Sequence, residues 1–206
     1  MDLNLLFPGS IVYVPGMMDA PTSSCALLVE NGRKILVDPG GFPSIKILEE
    51  RLTSLGLSPD SITDIMLTHF HLDHAFNSIF FPNATIHLHA NYKSRDYGSF
   101  GPIVGSMYLK IIDSWRRVET FNGGVKIMEA IDVLESPYHS RDHVSFFLET
   151  ENHGKVFICG DVCARQIHYH EMRKGMRSDA AAAFVTDYFE RADTVIFSHD
   201  LPLFKR

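Results

Sequence analysis

Cysteine is scarce in this sequence. Cys25, Cys159 and Cys163 are the only three in 206 residues, and they lie in mostly apolar surroundings. An odd, small number suits buried thiols in a reducing compartment better than a disulfide framework. Long apolar runs are missing too: Ile11 to Val14 and Ala26 to Val29 fall far short of the roughly 20 residues that cross a bilayer, so no membrane span is expected. The opening Met1-Asp2-Leu3-Asn4 has none of the cationic start and apolar stretch of a secretory signal, which makes a cytoplasmic location the expectation. Runs of Lys or Arg are likewise absent, and 19 basic against 25 acidic residues give a formal charge of −6. Without a cationic footprint, nucleic acid is disfavoured as a partner and a small-molecule substrate is expected, with homo-oligomerisation left open.

Repeats and low-complexity linkers are also wanting, so residues 1–206 read as one continuous domain. With 45% apolar residues the chain can bury a sizeable core. Strands are expected at Ile11 to Pro15, Cys25 to Glu30 and Lys34 to Asp38, the last two joined by the turn Asn31-Gly32-Arg33. Pro43 then opens a helix whose Ile45, Leu48, Leu52 and Leu55 share one face and which Gly56 closes. Further strands are expected at Ile62 to Thr68, Ala84 to His89, Val118 to Thr120, Val125 to Glu129, Ile131 to Glu135, Val144 to Glu149, Val156 to Cys159 and Thr194 to Ser198. Helices are expected at Ser106 to Arg116, after Val162 and at Ser178 to Arg191, which suggests sheets covered by helices.

The decisive segment is Thr68-His69-Phe70-His71-Leu72-Asp73-His74, where an apolar strand runs straight into three imidazoles and a carboxylate. In extended geometry His69 and His71 point the same way, and a tight turn into a helix brings Asp73 and His74 beside them. Imidazole nitrogen and carboxylate oxygen suit zinc, and also iron or manganese.

The run THFHLDH resembles the HxHxDH signature of the metallo-β-lactamase superfamily. Asp38-Pro39-Gly40 resembles that family's early D-x-G turn, and His139, Asp161 and His199 look like its later ligands, each after a β-rich run. The resemblance implies an α+β fold, an αββα sandwich of two mixed β-sheets with outer helices. It implies one metal held by His69, His71 and His139, a second held by Asp73, His74 and His199, and Asp161 bridging them. Two divalent ions, zinc foremost with iron or manganese as alternatives, would lower the pKa of a shared water from about 15.7 toward neutrality. The activity implied is a dinuclear metal-dependent hydrolase attacking an ester, thioester, lactone or phosphodiester, with Asp73 as a catalytic candidate. Asp38 and Asp200 are expected to accept the distal N–H groups of ligand imidazoles.

The chain departs from the family pattern at Tyr138, where glycine is usual, and at His143, where a small residue is usual. Asp161, where true β-lactamases often have cysteine, points away from antibiotic hydrolysis. Only seven residues follow His199, which leaves no room for the helical substrate domain of glyoxalase II enzymes. Two alternatives share the signature, an iron-dependent persulfide-dioxygenase-like oxidoreductase and a compact nuclease. His87, His89, His153, His168 and His170 are expected to be structural or exposed, with His168 and His170 as minor candidates for substrate contact. The segment from Tyr92 to Tyr108 reads equally as a mobile lid or as packing.

Overall fold

A computed structural model describes residues 1–205. The first sheet takes β1 (Asp2–Phe7), β4 (Cys25–Glu30), β5 (Arg33–Val37), β6 (Asp64–Met66), β7 (Thr85–His89) and β8 (Arg117–Phe121) in that spatial order. β1, β4 and β5 are antiparallel neighbours, and β5 through β8 run parallel. The second sheet has the order β14 (Leu203–Phe204), β13 (Thr194–Phe197), β12 (Gly154–Gly160), β11 (Val144–Thr150), β10 (Ile131–Glu135) and β9 (Val125–Ile127). Within it only β12 and β13 are parallel. A separate hairpin pairs β2 (Ser10–Val14) with β3 (Met18–Thr22).

Strand alternation builds the layers. Ala26, Leu28, Ile35, Val37 and Met66 face inward onto Val133, Phe146, Val156, Ile158 and Ile196 of the second sheet. Their neighbours Leu27, Leu36, Ile65 and Leu88 face outward, against Leu48 and Leu52 of α1 (Ile45–Ser54) and Tyr108 and Ile111 of α3 (Val104–Ser114). On the far side, Phe157, Val195 and Phe197 meet Met172 of α4 (Gln166–Arg173) and Val185 and Phe189 of α5 (Ala180–Arg191). The architecture is therefore the expected αββα sandwich. No helix of the described residues is long and apolar enough to cross a membrane. All three cysteines are free and buried.

Several elements differ from the sequence reading. β1, β3 and β14 were not expected: β3 carries Asp19 and Pro21, which argue against a strand, and β14 has two residues. The apolar strand β2 is exposed along its whole length. The helix expected from Pro43 starts two residues later, after a 3₁₀ turn at Phe42–Ser44, and the strand expected over Ile62 to Thr68 contracts to Asp64–Met66. The Tyr92 to Tyr108 segment packs rather than hangs free. Tyr92, Tyr97 and Tyr108 are buried, and Phe70 lies edge-on to Tyr97 and Tyr108 with ring centroids 5.4 and 5.1 Å away.

Candidate metal centre

The strands end at one rim, and their ends supply the site. Beyond β6 the chain runs through Thr68 to His71 and turns into the short helix α2 (Leu72–Ala75), which carries Asp73 and His74. The β10–β11 loop brings His139, the end of β12 brings Asp161, and the end of β13 brings His199. The seven residues meet in three overlapping groups whose ligand atoms lie within 4.8 Å of one another: His69, His71 and His139; His69, His74 and Asp161; Asp73, His74 and His199.

His71 Nδ1 is 2.9 Å from His69 Nε2 and 3.1 Å from His139 Nε2. His199 Nε2 is 3.3 Å from Asp73 Oδ2 and 3.3 Å from Asp161 Oδ1. Asp161 spans the two halves, with Oδ1 3.3 Å from His74 Nε2 and Oδ2 3.5 Å from His139 Nε2. His74 Nε2 is wholly buried and has no hydrogen-bond partner. A buried ring nitrogen without a hydrogen-bond partner is costly unless something occupies the space it faces. A cation among these nitrogens and oxygens would remove that cost, so the residues fit a divalent metal, and the donor set without thiolates suits zinc, iron or manganese.

Charge divides the site. Burial, reinforced by neighbouring imidazoles, holds His69 well below the ordinary histidine value; burial, His139 and Arg95 bring His71 down to about 4. His74 and His199 go the other way. Burial pulls each down, but carboxylates outweigh it: Asp161, Asp73 and Asp38 raise His74, and Asp161 and Asp73 raise His199 to about 9. Asp161 is held well below the carboxylate range because His74 and His199 outweigh its burial.

The surrounding groups fix the ligands. Asp38, at the end of β5 with φ +48°, accepts the Thr68 N–H at 2.8 Å and the Thr68 hydroxyl at 2.7 Å, and its Oδ2 lies 2.9 Å from His74 Nδ1. His199 Nδ1 lies 3.0 Å from the Thr22 carbonyl oxygen. Asp200, expected beside a ligand imidazole, is instead engaged by backbone: it accepts the N–H of Gln166 at 3.0 Å, at the start of α4, and that of Leu201 at 2.8 Å. The residue after a strand-end ligand turns outward here, and Thr22 takes the role assigned to Asp200.

Several supporting residues escaped the sequence reading. His143 is buried, and its Nε2 accepts the Asp161 N–H at 2.9 Å while Nδ1 lies 3.0 Å from the Ser136 carbonyl oxygen. Ser198 donates its hydroxyl to Asp161 Oδ1 at 2.5 Å, and Arg95 Nη2 lies 2.9 Å from His71 Nε2. The unusual histidine at position 143 was the one available signal. His87 and His89 belong elsewhere, at 2.8 Å from Asp64 and 3.4 Å from Glu135, and His168 and His170 join no ligand cluster among the described residues.

A cavity of about 590 Å³ opens beside His71 and Asp73, walled by Pro21, Phe42, Leu72, Met107 and Tyr108. Its mostly apolar walls with a few convergent polar groups are the usual form of a small-molecule site.

The model of the metallo-beta-lactamase superfamily matches residues 18–185. The chain belongs to this superfamily. Among solved structures, a metallo-beta-lactamase-type protein from Thermotoga maritima superposes with a TM-score of 0.94 at 41% identity, covering 98% of each chain. AidC, described as a dizinc quorum-quenching lactonase, shares the fold with a TM-score of 0.68 at 18% identity over 92% of this chain and 77% of its own. Among curated proteins, metallo-beta-lactamase domain-containing protein 1 of Xenopus laevis is 25% identical over 147 residues, 68% of this chain and 54% of its own length. An N-acyl homoserine lactonase of Bacillus thuringiensis is 29% identical over 114 residues, 53% of this chain and 42% of its own length. The matched part thus spans about half the length of these curated relatives.

Proposed function

We propose that this protein is a metal-dependent hydrolase of small carbonyl substrates, lactones, esters or thioesters, working with two divalent ions, zinc foremost. His69, His71 and His139 would hold one ion and Asp73, His74 and His199 the other, with Asp161 between them. The observation that carries this reading is Asp161, one oxygen of which faces His74 and the other His139. Two ions, when bound, supply Lewis acidity, activating water near neutral pH and polarising the substrate's carbonyl.

The chain's own groups do the rest. Asp38 orients His74, Thr22 orients His199, and His143 with Ser198 fixes Asp161. Asp73 lines the cavity, and His74 and His199 outweigh its burial and keep its carboxyl ionised, so it would take the proton of the attacking water and pass it to the leaving oxygen. The apolar walls exclude water around an acyl group and orient it. Lactonase activity among relatives and neighbours supports the substrate class.

The second complete ligand group favours two ions over a single iron centre. The test is metal analysis of protein purified without chelator, together with lactone, thioester and phosphodiester assays. About two zinc ions per chain with lactone or thioester turnover is expected. One iron with oxygen uptake, or phosphodiester cleavage alone, would overturn the reading.

A further inference from the structure

A second cavity, of about 360 Å³, adjoins the candidate centre at His139 and is polar: Asn91, Ser94, Arg95, Ser140 and Asp142 also line it, and Arg141 adds a further guanidinium. Arg95 is its most unusual member. The guanidinium sits over the Phe100 ring, 4.9 Å from the centroid, with Nη1 3.4 Å from the Phe70 carbonyl oxygen and Nη2 2.9 Å from His71 Nε2. An arginine can only donate, so in this contact His71 Nε2 is the acceptor.

A metal-loaded centre cannot keep that arrangement. His71 turns Nδ1 toward His69 and His139, so Nδ1 is the atom that would hold an ion. A neutral imidazole bound through Nδ1 carries its proton on Nε2, and that N–H would then point at the Arg95 N–H. Two donors face each other and Arg95 needs another acceptor. The protein offers poor ones: Asp142 Oδ1 is 3.9 Å from Nη1 and already accepts from Ser140, while Oδ2 accepts the Phe70 N–H. Asp96, the other carboxylate in the cavity, accepts the Gly98 N–H.

We propose that Arg95 is a substrate-binding residue that clamps a carboxylate carried by the substrate, a few bonds from the carbonyl that is cleaved, and that metal loading frees it for this task. The planar guanidinium matches a carboxylate through paired N–H donors. The inference rests on the hydrolase reading above for its reaction, and it narrows the substrates to acyl compounds with an anionic arm. The apolar cavity would take one end of such a molecule and the Arg95 cavity the other.

Calorimetric binding of glutarate and of butyrate, which differ by one carboxylate, tests this on the full chain with and without zinc. The zinc-loaded protein should bind glutarate about tenfold or more tighter than butyrate, the worth of a charge-assisted contact. In metal-free protein, where His71 occupies Arg95, and in loaded Arg95→Gln, the ratio should fall to within about twofold. Arg95→Lys should keep part of it, and zinc affinity in Arg95→Gln should be unchanged or higher because an opposing donor is gone. A ratio indifferent to Arg95, or a tenfold loss of zinc in Arg95→Gln, would overturn the proposal, the latter by making Arg95 a positioning residue for His71. Failure to take up zinc would overturn both readings. An Arg95-dependent ratio without turnover of any ester would uphold the clamp and end the hydrolase reading alone.

Discussion

The imidazole of His143 lies against the bare α-carbon of Gly160: a β-carbon there would fall 2.5 Å from Nε2 and 2.9 Å from Cε1. That same Nε2 accepts the N–H of the next residue, Asp161. Gly160 also has φ +59°, which glycine adopts freely and other residues only at a cost. β12 therefore delivers Asp161 to the site only with glycine before it. Gly160→Ala should lose about 3 kcal/mol, combining about 1–2 kcal/mol of backbone strain with displacement of a buried ring. Thermal unfolding and zinc content read this, and an alanine variant with unaltered values for both would show that the ring gives way freely.

Asp38 binds Thr68 twice and faces His74 while held at φ +48°. Asp38→Ala should weaken metal binding about 10- to 100-fold through a misdirected His74. It should also cost about 1–3 kcal/mol for the buried Thr68 N–H left without an acceptor. Asp38→Gly should lose metal equally but be about 1 kcal/mol more stable than the alanine variant, because it relieves the left-handed backbone. Chemical denaturation of the pair decides: an alanine variant that is the more stable of the two removes the strain argument.

His199 supplies a pH dependence whose sign is opposite in the two metal states. In the metal-free protein its pKa is raised to about 9 by Asp161 and Asp73. The stability gained is complete below the ordinary value near 6.5 and is lost as pH climbs through about 9. A metal must displace that proton and the one held by His74, which is raised as well, so zinc affinity should rise at least about tenfold per pH unit across the same interval. Competition with a chromophoric chelator at several pH values measures this, and a flat profile would sink it.

Much of the architecture was legible because period-two alternation survives in the central strands: Leu27 and Leu28, or Ile35 and Leu36, divide between two buried faces. The candidate ligands on one short stretch, His69 to His74, announce themselves by proximity. Asp161 and His199 emerge only through the resemblance to the family pattern, each after a β-rich run. What escaped was the support. Thr68 and Ser198 are ordinary residues whose roles come from segments distant in the chain meeting beyond the strand ends, Thr68 with Asp38 and Ser198 with Asp161. Asp200 failed as a prediction because adjacency in sequence says little about direction at a strand end. Strand β1, the two-residue β14 and the hairpin strand β3 lie outside what local patterning resolves.

At the opposite end of the first sheet, Asp64 is buried between Arg33, which donates two hydrogen bonds at 3.0 and 2.5 Å, and His87, whose Nε2 is 2.8 Å away. Burial pushes the carboxyl up, but His87, Arg33 and Thr63 outweigh it and hold Asp64 well below the usual carboxylate range. A depressed carboxyl stabilises the fold above its unfolded value near 3.8 and loses that contribution as pH falls through the folded one. Asp64→Asn should therefore cost about 2–4 kcal/mol at neutral pH, below the full value for a buried pair because Arg33 is half exposed. The gap between variant and wild type should hold constant down to about pH 5 and shrink below about pH 4. Because this network is remote from the metal ligands, zinc stoichiometry should not change. Urea denaturation from pH 7 down to pH 3, with metal analysis alongside, tests both halves: a gap that widens in acid, or a variant that loses zinc, would show that Asp64 acts otherwise.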